Sequence, residues 1–446
     1  MSISQRKFSW NRFWRTPLAA PLLIGLAVRL AAFPLAHLKN PELVRHWEYA
    51  EIALNLAAGK GYSFDWGYSG HNFTFPTAYM LPGEVIIHYA ALGPFGDTLP
   101  GHAVLFLEEV AFGGIFIFAM WKLLTLLFGE SKRTRWGVWL AALYPGFVVA
   151  CATYGIASAV LAIDALFLWS LVLTLSKFRT GERATLPAIG TGIFAGLLTQ
   201  FRSESYLMLG VTAMALLWTY RRSFRSLLPI ASVAALSMAI VCAPWAIRNE
   251  IVFHKLILTS INGGFNFWRG NSEQATGSSW KANGDPVWTT DAMWTQIEPG
   301  GRTDSLVEFT QDAYHRKAAM EWVRTHPKEE AVLAVKKIAF FWGVDPYDPR
   351  MGILYVAFYA ITILTAMAGL FQMRKERAWK NNRVRDMVVI VATWAVLYSA
   401  VVIAFFSLER LQILMIGFYF PFIAVGAETM YAWLRKSVFT GALNTA

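Results

Sequence analysis

An all-α polytopic membrane protein with about ten transmembrane helices is the fold class this sequence predicts, and three observations predict it. Apolar runs of roughly 18–25 residues recur along the chain, the length a helix needs to cross roughly 30 Å of hydrocarbon. The 446 residues are 56% hydrophobic and 15% charged, and their 19 Trp and 32 Phe exceed what an ordinary soluble core holds. The basic residues fall in short clusters between the runs, on alternating sides. Backbone groups in a bilayer must pair within their own segment, so the runs are expected to be helices. The same clustering excludes nucleic acid as a partner, which the net charge of +11 taken alone would invite.

Taken in order, the spans fall at about 17–37, 103–128, 136–153, 156–176, 186–201, 204–220, 226–247, 351–372, 386–406 and 411–433. Arg6, Lys7, Arg12 and Arg15 precede the first, which is too long for a cleaved leader and reads as an uncleaved helix. Every even connection is basic: Lys132, Arg133 and Arg135; Lys177, Arg179 and Arg183; Arg221, Arg222 and Arg225; Arg374 to Arg385; Arg435 and Lys436. The positive-inside rule therefore puts those connections and both termini in the cytoplasm of a bacterial inner membrane. Two large loops, about 38–102 and about 248–350, then face the periplasm. The expected organisation is an N-terminal membrane module over 1–247, a loop domain over 248–350 and C-terminal membrane helices over 351–446. Residues 263–300, rich in Gly, Ser, Asn and Trp, read as irregular. Residues 306–341 read as two helices divided at His326-Pro327. Cys151 and Cys242 lie inside spans and make a disulfide or thiolate metal site improbable.

The stretch HWEYAEIALNLAAGKGY, His46 to Tyr62, follows the first span. Its apolar residues alternate with Glu48, Glu51 and Asn55, and Gly59 and Gly61 close it, so it reads as a short amphipathic helix at the outer membrane surface. A carboxylate there serves as a base, a sugar-binding group or a solvated charge. Ionisable residues also occur within or beside spans: Arg29 and Asp164, read as partners inside the bundle or as facing water, and Glu108 and Glu109 near the outer interface. Further charges gather at the same outer boundary: Arg202 and Glu204 between spans five and six, Arg248 and Asn249 leaving span seven, and Glu409 and Arg410 between spans nine and ten. Arginine is disfavoured outside, so three of them suggest an anion held at the bilayer surface. A phosphate matches the guanidinium fork, whereas pairing with Glu204, Glu409 or lipid headgroups is the plainer use. The sequence contains no glycine-rich phosphate loop.

Several stretches resemble the GT-C superfamily of membrane glycosyltransferases, specifically the bacterial family 39 and protein O-mannosyltransferase-like group. They are HWEYAEIALNLAAGKGYS, FPTAYMLPGE at 75–84, LLTQFRSESYLML, APWAIRNEIVFHKLILTSINGGFNFWRGN at 243–271, AAMEWVRTHPKE at 318–329 and SLER at 407–410. The resemblance implies a GT-C-like fold and transfer of a sugar from a polyprenyl-phosphate donor to a lipid, glycan or protein acceptor at the periplasmic face. It also implies inversion at the anomeric carbon and a base in the first outer loop. Better-known members carry an acid about four positions before the tyrosine matching Tyr49, where this chain has Arg45. Some bacterial relatives place it immediately before that tyrosine, which makes Glu48 the candidate base, with His46 and Glu51 in reserve. The resemblance further implies donor-phosphate contacts from Arg202, Arg248 and Arg410, and substrate contacts from Tyr49, Tyr62, Glu204 and Asn249. The run Gly263 to Asn271 suits sugar or acceptor recognition, through aromatic faces and through Asn266, Arg269 and Asn271. His71, His315 and His326 are scattered, so no metal or other cofactor is predicted. A transporter or flippase of lipid-linked glycans, or a catalytically altered assembly protein on the same fold, is the competing reading.

Overall fold

The computed structural model describes residues 16–39, 48–68, 71–153, 155–288, 307–349 and 351–443. Its helices are α1 Ala19–Lys39, α2 Glu48–Ala57, α3 Pro82–Phe95, α4 Leu99–Phe128, α5 Lys132–Leu143, α6 Pro145–Ala150, α7 Ala157–Thr180, α8 Thr185–Phe201 and α9 Ser205–Thr219. They continue as α10 Phe224–Phe253, α11 Gly263–Gly270, α12 Val307–Thr325, α13 Pro327–Trp342, α14 Ile353–Lys375, α15 Asn382–Ala404 and α16 Glu409–Leu443. Among the described residues six helices are long and apolar enough to cross a membrane, and α1, α8 and α9 contribute shorter apolar stretches. The protein is a multi-pass, all-α membrane protein. Among the described residues the one sheet is a small hairpin, β1 Ser63–Tyr68 against β2 His71–Pro76, antiparallel with Ser63 opposite Pro76.

The third expected span, 136–153, is not one helix. It breaks between α5 and α6 at Tyr144-Pro145, because proline lacks the N–H that would bond the carbonyl of Ala141. The break explains Arg29, which does not pair with Asp164. Its guanidinium, fully buried in α1, donates to the carbonyls of Ala142 (2.7 Å), Gly25 (3.0 Å) and Ala141 (3.4 Å). An arginine amid the spans thus serves backbone groups that the proline left open. Gly113 makes room for it, since a Cβ there would stand 2.5 Å from the Arg29 Nε.

At the basic end of the bundle, cross-links join helices distant in sequence. Arg133 on α5 bonds Glu428 (2.7 Å) on α16 and Glu376 (2.6 Å) just after α14. Arg179 on α7 and the Tyr220 hydroxyl both engage Asp386 on α15. Arg383 donates to the Ser176 hydroxyl and the Leu126 carbonyl. Further along, α14 and α16 cross at two glycines: a Cβ on Gly426 would lie 1.8 Å from the Thr365 carbonyl, and one on Gly369 would lie 1.9 Å from that of Phe422. Small residues at such crossings let backbones approach closely. Gly426→Val is therefore expected to cost at least about 1–3 kcal/mol, since the obstacle is backbone and cannot rotate away. Loss of the monodisperse peak in detergent would register it; a variant as stable as wild type would refute the crossing.

The two loops are more ordered than their composition predicts. Gly59 and Gly61 take positive φ (77° and 73°) and end α2, as the sequence reading requires. The hairpin follows, then α3. In the second loop, Gly263–Gly270 is helical rather than irregular, and α12 and α13 divide at His326-Pro327 as expected.

Candidate active site

The site forms where both loops meet the end of the bundle away from the basic cross-links. Residue contacts between backbones position it. A Cβ on Gly270, the last residue of α11, would fall 1.6 Å from the Phe405 carbonyl just past α15. Ser407 N–H donates to the Gly277 carbonyl (2.9 Å). Lys337 on α13, fully buried, donates to the Asn271 side-chain oxygen (2.7 Å) and the Ile403 carbonyl (2.9 Å). The Asn271 amide in turn donates to the carbonyls of Phe267 and Ala404. These bonds press the 263–271 segment onto the SLER turn, and so bring Arg269 and Arg410 together.

Glu48 opens α2 within electrostatic reach of both of these arginines. Burial pushes its carboxyl above the ordinary range, while Arg410 and Arg269 act on it in the opposite direction. Arg269 is held between the rings of Phe265 and Phe406 (5.7 and 5.0 Å) and donates to the Ser279 carbonyl (3.1 Å). Burial lowers it to about 10; the Tyr79 phenol and Glu48 oppose that fall, and Arg410 adds to it. Tyr49, buried beside Glu48, lies within electrostatic reach of Arg410 and Arg202, and burial raises its phenol. Arg202 caps the end of α8 and pairs with Glu204. Burial works against its charge, and Glu204, Tyr398 and Tyr49 more than offset that.

Other expected site residues are occupied differently. The Glu51 carboxylate accepts from the Asp65 N–H (2.6 Å), tying α2 to the hairpin; burial raises it to about 7. Arg248 donates to the carbonyls of Thr77 (2.7 Å) and Tyr62 (2.9 Å) and to the Asn249 side chain (2.8 Å). Its guanidinium also lies over the rings of Tyr62, Trp245 and Phe253. Asn249, fully buried, donates to the Ile257 carbonyl. Arg248, Asn249 and Tyr62 thus form a strap between the two loops, in which the Arg248 guanidinium is bonded to backbone carbonyls. Asn271 is likewise a structural bolt. Asn266 sits one turn before Arg269, on the same face of α11. His46 lies outside the described residues.

Asp164 is the residue the sequence reading placed wrongly. Instead of meeting Arg29, it sits buried in α7 within the fields of Arg202 and Glu204, both carboxylate oxygens without a hydrogen bond. Its neighbours Ala162, Ile163 and Leu166 line a cavity of about 590 Å³. Gly83 and Ile86 of α3, Ile115 of α4, Gln200 of α8 and Trp245 of α10 also line it. Ile86 and Ile115 are exposed on the outer surface of the bundle, so the cavity opens sideways toward the bilayer. It is almost wholly apolar, and Gln200 and Phe201, the residues just before Arg202, stand in its lining.

The Glu308 carboxylate strengthens the strap, accepting from the Thr77 hydroxyl (2.7 Å) and the Ala78 N–H (2.8 Å). Burial raises its pKa from 4.5 to about 7, and those two bonds oppose the rise. A carboxyl raised in the folded state stabilises fully below about 4.5 and loses that contribution as the pH climbs through about 7. The melting temperature is expected to fall between pH 5 and 8 more steeply for wild type than for Glu308→Gln; parallel slopes would remove this group as the cause.

No protein-family model matches the chain, and no curated protein matches its sequence. Solved structures do. The oligosaccharyltransferase AglB of Archaeoglobus fulgidus, in complex with an inhibitory peptide and a dolichol-phosphate, matches with a TM-score of 0.55 at 13% identity, over 98% of this chain and 52% of that one. The same organism's enzyme tethered to an acceptor peptide gives 0.51 at 13% identity, over 92% and 50%. ArnT of Cupriavidus metallidurans bound to undecaprenyl phosphate gives 0.42 at 12% identity, over 91% and 76%. The chain spans about half the length of the archaeal enzyme. At these identities the likeness shows the fold, a GT-C-like one.

Proposed function

We propose that the protein is a membrane glycosyltransferase. It moves a sugar from a polyprenyl-phosphate donor to a lipid, glycan or protein acceptor at the outer face of the bacterial inner membrane. The observations that carry this reading are Glu48 at the start of α2 within electrostatic reach of Arg269 and Arg410, and an apolar cavity lined by Gln200 and Phe201, next in the chain to Arg202. The cavity suits an isoprenoid tail, and the rim beside it suits the phosphate. The archaeal neighbour's capture with a dolichol-phosphate accords with that division.

In this reading the acceptor hydroxyl attacks the anomeric carbon from the side opposite the phosphate. The new glycosidic C–O bond forms as the bond to the phosphate oxygen breaks, and the configuration inverts. Glu48 takes the hydroxyl proton; its burial makes it a stronger base than a solvated carboxylate. Arg269 and Arg410 balance the charge that grows on the departing phosphate. Arg202, paired with Glu204, orients Tyr49 and the phosphate side of the pocket. Asn266 is placed to meet a sugar or acceptor hydroxyl.

The finer kinship, to the family 39 and protein O-mannosyltransferase-like group, rests on the motifs of the first outer loop and the SLER turn. The direct experiment supplies the purified protein with defined polyprenyl-phosphate sugars and a mixed acceptor extract, and follows donor loss and free polyprenyl phosphate. Consumption of one donor supports the reading. Intact donors across the panel, with donor bound, would point instead to a non-catalytic carrier.

A further inference from the structure

A second cavity lies among α7, α8, α9 and α10. It measures about 370 Å³, within the roughly 300–1,000 Å³ of small-ligand pockets. Helices α9 and α10 are consecutive in sequence yet scarcely touch, while α10 packs closely on α8. That close packing depends on Gly192, where a Cβ would stand 2.1 Å from the Ala234 carbonyl. The result is a cleft floored by α7 and α8 and walled by α9 and α10. Its lining is largely apolar, Leu209, Leu216, Leu227 and Ile230 among it; of its three threonine hydroxyls, Thr174 and Thr191 bond each other at 3.2 Å and Thr212 donates to the Met208 carbonyl, and Tyr206 lines it as well.

One mouth of the cleft carries a distinct chemistry. The turn joining α9 to α10 is Arg221–Ser223, with Arg225 one residue into α10. Arg221, Arg222 and Arg225 are exposed, and among the described residues none has a carboxylate partner. Trp218, itself exposed, lies under the Arg221 guanidinium at 5.0 Å. A tryptophan topped by an arginine marks the headgroup level of a bilayer, where such residues concentrate. Apolar cleft and unpaired guanidinia are therefore stacked in the order of a phospholipid's acyl chain and phosphate.

We propose that this cleft binds one acyl chain of an anionic glycerophospholipid, with its headgroup held by Arg222 and Arg225. The charge complementarity selects an anionic headgroup over a zwitterionic one. The bound lipid fills the gap between α9 and α10, and so steadies α9, which starts at its far end from Glu204, the partner of Arg202. The site needs no glycosyl transfer, so its test stands apart from the proposed function.

The test is lipid retention by the purified full-length protein, measured by native mass spectrometry with dioleoyl phosphatidylglycerol and dioleoyl phosphatidylcholine. Wild type is expected to retain the anionic lipid roughly tenfold more tightly, from two arginines at a membrane surface. Arg222→Gln with Arg225→Gln should bring it to the level of the zwitterionic lipid, and the paired lysine variant should restore the preference. Gly210→Leu should expel both lipids by filling the cleft; a Cβ at Gly210 meets nothing within 4 Å, so the fold has room for it. Equal retention of the two lipids by wild type would overturn the proposal. So would retention of the anionic lipid by Gly210→Leu at the wild-type level, or its displacement by equimolar undecaprenyl phosphate, which would make the cleft an isoprenoid site.

Discussion

Glu48→Gln is expected to lower sugar transfer roughly 10²- to 10⁴-fold, the usual contribution of a positioned general base. The substitution keeps the shape and hydrogen-bonding length of the side chain and removes only its basicity. Donor binding should survive, because in the proposed mechanism Arg269 and Arg410 hold the phosphate. Glu51→Gln supplies the contrast. Its carboxylate is bound to the Asp65 N–H, so the change should lower stability more than turnover. Single-turnover donor consumption, read beside donor binding, separates the two. Transfer at the wild-type rate by Glu48→Gln would move the base elsewhere in the first loop.

Arg410→Gln should reduce transfer by a comparable 10²–10³-fold or so, the typical loss when one group stabilising the transition-state charge is removed. It also carries a signature in pH. Arg410 acts on Glu48 against the rise that burial causes. Removing the cation therefore raises the Glu48 pKa further. Because the base works deprotonated, the acidic limb of the pH–rate profile moves to higher pH. A variant that loses rate with an unmoved acidic limb would place Arg410 at the phosphate alone, out of reach of Glu48.

What the sequence makes legible follows from which interactions are local. Membrane spans depend on length and apolarity, and most of them are readable. The end of α2 is readable because Gly59 and Gly61 supply the positive φ that other residues resist. The break at Pro145 was masked by the hydropathy around it, although proline after Tyr144 signals it. Clustering of charges at one boundary pointed to one face of the bundle. It could not divide the arginines, since the use of Arg248 is decided by the carbonyls of Tyr62 and Thr77, more than 170 positions away in the chain. Asn271 escaped for the same reason, its partner Lys337 standing 66 residues on. Two opposite charges within spans, Arg29 and Asp164, suggest a pair or contact with water. The lone carbonyls left by the helix break were a better match for the guanidinium.

That match has a consequence in time. Arg29 and the carbonyl of Ala141 are 112 residues apart. At the ~5–20 residues per second of chain synthesis, the arginine exists for roughly 6–20 s before its two distant carbonyl partners are made. During that interval only the Gly25 carbonyl, four residues back on α1 itself, receives it, so the final depth of α1 in the bilayer is set only when the α5–α6 segment emerges. The first helix to be made is thus among the later ones to be settled.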